Sequence, residues 1–212
     1  MRCIIMANGQ YGANAFYKRK FPEGDRIICA DGGANYAYQL GWYPSAIVGD
    51  MDSILPEVRE YFTSLGVPFT LLSCRKDETD TQAVLAMAQA MGATEIIMLG
   101  TLGGRLDHTL SNLYSGLDAI KQGIKITHIS PAVRVDLVNR ELAVKGQKGD
   151  LVSILALTDE TQGVTIEGFE YPLQNVCLRK SDPYAVSNVM TGTNGTVFVR
   201  EGILAVFHYG QS

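Results

Sequence analysis

Two aspartates two residues apart, Asp50 and Asp52, stand near the end of the stretch AIVGDMDS, which runs from Ala46 to Ser53. Carboxylates at that spacing repel, and one tends to keep its proton unless a cation removes the penalty. A hard oxygen site of this kind suits Mg²⁺, which keeps part of its water shell and shares the rest with phosphate oxygens. Two glycine pairs add to the pattern. Gly32-Gly33 and Gly103-Gly104 stand ahead of helical stretches, where backbone N–H groups can approach an anion closely. Arg105, directly after the second pair, would neutralise phosphate charge in a bidentate contact. Metal-binding acids, glycine turns and an arginine together point to phosphoryl transfer on a nucleotide.

Each of these residues, taken alone, has an ordinary reading. An aspartate after a strand often caps a helix or makes a turn. Gly-Gly pairs occur in plain turns, and Arg105 with Asp107 would form a surface ion pair of small consequence. His108 would be a polar helix-start residue, and Ser111-Asn112 would lie on a helix surface. The inference rests on convergence, because the blocks come from several places in the chain at once. The sequence contains neither a GxxxxGK[ST] phosphate loop nor the protein-kinase set, which excludes those two classes.

What must position these residues is a series of short strands. RCIIMA (Arg2 to Ala7), RIICAD (Arg26 to Asp31), SAIVGD (Ser45 to Asp50), PFTLLS (Pro68 to Ser73), EIIMLG (Glu95 to Gly100) and KITHIS (Lys125 to Ser130) are apolar runs separated by helical patterns. Such runs indicate strands buried on both faces, hence a parallel sheet with helices on either side. One of those helices begins at Asp80, where Thr79 can cap it and Val84, Leu85, Ala88 and Met91 form a stripe. In an open parallel sheet, ligands bind beyond the carboxyl ends of the strands. Those ends lead into Asn8-Gly9, Asp31 to Asn35, Gly49 to Ser53, Lys76 to Asp80 and Gly103 to His108. Asp50 and Asp52 point the same way if the chain stays extended there.

After Ser130 the texture changes to period-two alternation, as in VRVDLVNRELAVKGQKGDLVSILALT and GVTIEGFEYPL. TVFVREGILAVFHY predicts a hairpin turned at Glu201-Gly202. The expected fold class is α/β: a parallel-sheet, Rossmann-like domain over residues 1–130, then a smaller all-β domain over residues 131–212. The chain has 212 residues, is 46% hydrophobic and carries a net charge of −4. It has no basic stripe for nucleic acid and no run near the ~20 apolar residues of a membrane span. Its N-terminal apolar run is too short for a signal peptide. Cys3, Cys29, Cys74 and Cys177 form no CxxC pair and read as buried, reduced thiols. A soluble, cytoplasmic protein is expected.

The ordered series ADGGAN, GDMDS, Thr79-Asp80 before a helix, GGRLDHTLSNL and a late Ser187-Asn188 resembles the thiamine pyrophosphokinase (thiamine diphosphokinase) family over essentially the whole chain. The resemblance implies an α/β catalytic, ATP-binding domain followed by a β-sandwich-like thiamine-binding domain. It implies transfer of pyrophosphate from ATP to the hydroxyl of thiamine with Mg²⁺, giving thiamine diphosphate and AMP. It implies a homodimer with the thiamine pocket shared between subunits. Residue by residue, Asp50, Asp52 and Asp80 would hold Mg²⁺ and the triphosphate, and Asp31 would complete the acidic edge. Asn8, Asp31, Gly32, Gly33, Gly103, Gly104 and Arg105 would line the nucleotide site. Arg105 and Asp107 would act near the transferred phosphates, and Ser187 and Asn188 would bind thiamine. Val189 stands where the family often has an acid. Asp80 and Asp107 are both candidates for the base that takes the hydroxyl proton. Two rival readings are a Mg²⁺-dependent phosphotransferase or phosphohydrolase on another small alcohol or nucleotide, and a non-catalytic thiamine- or nucleotide-binding module.

Overall fold

The structure is a computed structural model describing residues 1–21, 24–72 and 79–210. The chain divides into two compact units, Met1–Ala119 with His128–Ser130, and Ile120–Thr127 with Pro131–Ser212.

In the first unit, strands β1 (Arg2–Met6), β2 (Arg26–Ala30), β3 (Ala46–Gly49), β4 (Phe69–Leu71) and β5 (Glu95–Leu99) pair in parallel, in the order β5-β1-β2-β3-β4. The central strands are apolar on both faces because helices cover both faces. Every residue of β3 is buried, whereas Leu71 on the edge strand β4 is exposed. The helices are α1 (Asn14–Lys20), α2 (Gly33–Leu40), α3 (Pro56–Ser64), α4 (Asp80–Ala90) and α5 (Leu106–Ser115). Thr79 opens α4 with a capping box: its hydroxyl accepts from Gln82 N–H at 3.3 Å, and its own N–H donates to Gln82 Oε1 at 2.8 Å. Val84, Leu85 and Ala88 are buried as expected, while Met91, the residue after α4, is half-buried.

The chain leaves the first unit within α6 (Leu117–Lys121) and returns to it at the end of β6 (Lys125–Ile129). The second unit contains two antiparallel sheets. One has the order β12-β9-β14-β7, from β7 (Val133–Val138), β9 (Leu151–Ala156), β12 (Asn188–Val189) and β14 (Leu204–Tyr209). The other has the order β11-β10-β13-β8, from β8 (Glu141–Lys145), β10 (Glu160–Glu167), β11 (Leu173–Arg179) and β13 (Asn194–Phe198). Val138, Val152, Ile154, Leu204 and Val206 of one sheet share a core with Val144, Val164, Ile166 and Val197 of the other. The chain thus has an α/β part with a parallel sheet and a C-terminal antiparallel β part.

Two expectations need correcting. β13 and β14 are not a hairpin. β13 pairs with β8 and β10, while β14 pairs with β7 and β9. The Glu201-Gly202 turn carries the chain from one sheet to the other, with Val199 and Ile203 buried on either side of it. Both strands bury an alternating face in the same core, so alternation alone could not reveal their partners. The cysteines also divide. Cys3 and Cys29 are buried, and burial pushes the Cys3 thiol up to about 11 and the Cys29 thiol higher still. Cys177 is unpaired and exposed on β11. Cys74 lies outside the described residues, as do Lys76, Asp77 and Glu78 of the loop before α4.

Candidate active site

The site grows from two neighbouring strand ends. β2 runs into Asp31, whose backbone turns left-handed (φ 43°) and whose N–H donates to Val48 carbonyl at 2.8 Å. Gly49, at the end of β3, makes room for it, since a Cβ there would lie 2.7 Å from Asp31 Cβ. Asp31 is 6% exposed, and its Oδ1 is buried with no hydrogen-bond partner among the described residues. Burial, and then the Asp52 and Asp50 carboxylates, push the Asp31 carboxyl above its usual range, against the opposing Ser53 side chain and Gly32 N–H.

After β3 the chain does not stay extended. Met51 takes a left-handed conformation (φ 67°), rare for a residue with a side chain, and packs its thioether into the core at 8% exposure. That buried anchor turns Asp50 and Asp52 toward one another, so a tight turn does what alternation was expected to do. Asp31, Asp50 and Asp52 each offer a carboxylate oxygen, all within 4.8 Å of one another. Three acids so close, one with a buried and unpartnered oxygen, fit a hard divalent cation.

The cluster opens into a cleft of about 690 Å³ lined wholly by residues of the first unit. Asn8 and Gly9 line it from the end of β1, and Gly9 N–H donates to Gly100 carbonyl at 2.9 Å. Asp80 lines it from the first residue of α4. Gly103 and Gly104, at φ 83° and 68°, bring the backbone round to Arg105, the residue just ahead of α5. Arg105 lines the cleft but is already paired with Asp107, Nε to Oδ1 at 3.2 Å and Nη2 to Oδ2 at 2.6 Å. Both side chains are exposed, and the guanidinium holds the Asp107 carboxyl below its ordinary range. Asp107 itself does not line the cleft.

Gly32 and Gly33 do not line the cleft, and both serve packing. A Cβ on Gly32 would meet the Asn8 amide at 2.5 Å, and one on Gly33 would run into the Met6 carbonyl. Tyr36, Thr101 and Asn112 also line the cleft and were missed as site residues. Tyr36 stacks on Tyr11 with centroids 4.0 Å apart, and Asn112 Nδ2 donates to Thr101 carbonyl at 3.0 Å. Tyr36 and Thr101 were signalled only by position, in the helix after a strand end or directly after one, whereas Asn112 stands inside GGRLDHTLSNL and is buried, not on the helix surface expected of it.

Ser187 and Asn188 belong to the second unit. Ser187 is exposed, with φ 59°, and its N–H donates to Ser153 Oγ at 2.9 Å. Asn188 is 5% exposed and its amide is occupied within the unit. Oδ1 accepts from Tyr171 N–H at 3.0 Å and Val189 N–H at 2.9 Å, and Nδ2 donates to Tyr171 carbonyl at 2.8 Å. The Asn188 side chain therefore clamps the backbone of Tyr171, a residue 64% exposed.

Residues 17–128 match the model of the family described as "Thiamin pyrophosphokinase, catalytic domain", and residues 138–204 match "Thiamin pyrophosphokinase, vitamin B1 binding domain". The chain is 26% identical over 179 residues to the thiamine pyrophosphokinase of Bacillus subtilis (strain 168), covering 84% of each. It is 26% identical over 189 residues to thiamine pyrophosphokinase 1 of Oryza sativa subsp. japonica, covering 77% of this chain and 71% of that one. In fold it is similar to the crystal structure of the Bacillus subtilis enzyme, with a TM-score of 0.87 at 24% identity and all of both chains covered. The thiamin pyrophosphokinase of Candida albicans gives a TM-score of 0.82 at 17% identity, covering 98% of this chain and 88% of that one.

Proposed function

The chain belongs to the thiamine pyrophosphokinase family, and from that premise we propose that it transfers the pyrophosphoryl group of ATP to the hydroxyl of thiamine, releasing AMP and thiamine diphosphate. The observation that carries this reading is the cluster of Asp31, Asp50 and Asp52 in the cleft, with its buried and unpartnered Asp31 oxygen. Those residues would hold Mg²⁺, which when bound offsets the negative charge of the polyphosphate.

In this reading the thiamine hydroxyl oxygen forms a bond to the β-phosphorus, and the bond from that phosphorus to the AMP oxygen breaks, its electron pair leaving with AMP. The chain's own work is to align the two reactants and receive the proton. Asp80 is the better acceptor. It lines the cleft, whereas Asp107 lies outside the lining and is made a weaker base by the Arg105 guanidinium, which holds its carboxyl below the ordinary range. Arg105 must share its guanidinium with Asp107 while it contacts phosphate, so Asp107 acts by orienting it. Asn8, Gly103 and Gly104 complete the nucleotide edge. Ser187 supports thiamine directly, and Asn188 acts through Tyr171, whose backbone it clamps and whose ring offers a face to an aromatic heterocycle. The working form is a cytoplasmic homodimer with its thiamine pocket shared between subunits. The apolar stripe of Leu106, Leu110 and Tyr114, exposed at four-residue spacing on α5, supports a partner surface.

The test is product analysis with ATP, Mg²⁺ and thiamine. AMP and thiamine diphosphate are expected in equal amounts, and only when all three components are present. ADP with thiamine monophosphate would overturn the reaction type. Asp80→Asn should lower kcat by roughly 100-fold or more, and Asp107→Asn by less than about 10-fold. The reverse order would reassign the base.

A further inference from the structure

The acidic cluster is assembled from two separate pieces of chain, and its three carboxylates push one another apart. Asp31 leads from β2 into α2, while Asp50 and Asp52 sit on the turn between β3 and α3. Beyond the pairing of β2 with β3, the side chain of Asn35 ties the two pieces together. Asn35, in the first turn of α2, donates Nδ2 to Ser53 carbonyl at 2.9 Å and accepts on Oδ1 from Leu55 N–H at 3.0 Å. Ser53 in turn donates its hydroxyl to Asp52 Oδ1 at 2.8 Å. A carboxamide offers a donor and an acceptor in one rigid plane. Bracketing a carbonyl and an N–H two residues apart fixes both the position and the tilt of the turn. Without that bracket, Asp31 stays tied to β3 through its N–H to Val48 carbonyl at 2.8 Å, but the turn beyond β3 that carries Asp52 loses its Asn35 anchor to α2.

We propose that Asn35 is a positioning residue for the divalent-cation site, setting the separation of Asp31 and Asp52 by tying α2 to the turn after β3. The inference rests on the metal-binding part of the function proposed above. Asn35 does not itself line the cleft, so its influence passes through Ser53 and the backbone. Outer groups that orient metal ligands typically change affinity by about 10–100-fold when removed, and that is the scale expected here.

The experiment is Mn²⁺ titration of the full chain, followed by electron paramagnetic resonance, alongside thermal melting. Asn35→Ala should bind Mn²⁺ at least about 10-fold more weakly than the unmodified chain. Leu55→Pro provides a second route should Asn35→Ala fold poorly. Leu55 already has φ −63° and ψ 139° and is exposed, so proline fits there and deletes the N–H that Asn35 accepts from. It should weaken Mn²⁺ binding by a smaller factor. Asp52→Asn serves as the control for loss of a ligand. A lower melting temperature with unchanged Mn²⁺ affinity in both variants, while Asp52→Asn loses the ion, would overturn the positioning role and leave the metal site standing. An unmodified chain that binds no Mn²⁺ would overturn both.

Discussion

His128 is wholly buried, and burial holds its imidazole down to about 3. One ring nitrogen, Nδ1, lies 2.8 Å from Thr101 Oγ1, and Nε2 is buried without a hydrogen-bond partner among the described residues. The consequence is a stability that depends on pH. Between about 3 and the ordinary value of 6.5 the unfolded chain binds a proton that the folded chain refuses. Stability is therefore fully present above 6.5 and falls as pH drops, by up to about 1.4 kcal/mol per pH unit from this group. Urea midpoints of the unmodified chain and His128→Gln between pH 7 and 5 should give a shallower pH slope for the variant. Equal slopes would show that burial of this ring is not what the acid limb reports. KITHIS reads as a strand buried on both faces, which implies burial of His128, but nothing in it sets the ring against Thr101, because the contact depends on which neighbour its strand acquires. Asp50 and Asp52, by contrast, were legible as a pair from spacing alone. The means of their convergence was not, since the left-handed turn at Met51 has no propensity signal in a residue of that type.

Elements were legible where a local rule acts alone. Thr79 and Gln82 form a capping box within four residues, so the start of α4 could be read directly. The partners of β13 and β14 could not, because pairing is decided by distant strands. The junction of α2 with β1 lies between these cases: Gly33 is visible in the sequence, but its reason is three-dimensional. A methyl group there would meet the Met6 carbonyl, which is fixed in the sheet and cannot give way as a flexible side chain would. Gly33→Ala should cost about 1–3 kcal/mol or more through overpacking and lower the melting temperature by several degrees. It should also displace Asp31, two residues upstream. An unchanged melting temperature would mean that α2 can lift from the strand without loss.

Across the whole molecule, the alternation of apolar runs and helical stripes made the α/β part readable, and the shift to period two after Ser130 made the β part readable. The interleaving of the two units was not readable. Residues 120–127 pack with the later strands: Thr127 donates its hydroxyl to Asp136 Oδ1 at 2.7 Å, and Asn139 Nδ2 donates to Ile120 carbonyl at 2.9 Å. A chain ending at Ser130 keeps this segment and loses its partners. Such a fragment should melt at a temperature lower than the full chain by roughly 5 °C or more, and it should bind a hydrophobic dye. A loss of 1 kcal/mol alone moves a domain of this size by about 2–8 °C. A fragment with the melting temperature of the full chain would refute the interdependence. The strand order carries one more consequence. β14 lies between β7 and β9 although it is the last strand in the chain. On the ribosome, where elongation runs at about 5–20 residues per second, β7 and β9 emerge well before the strand that joins them and wait with open edges. A premature stop codon only a few residues before Leu204 therefore does not trim a terminus. It removes an interior strand, and cellular quality control would meet two unfilled sheet edges where the finished protein has none between those strands.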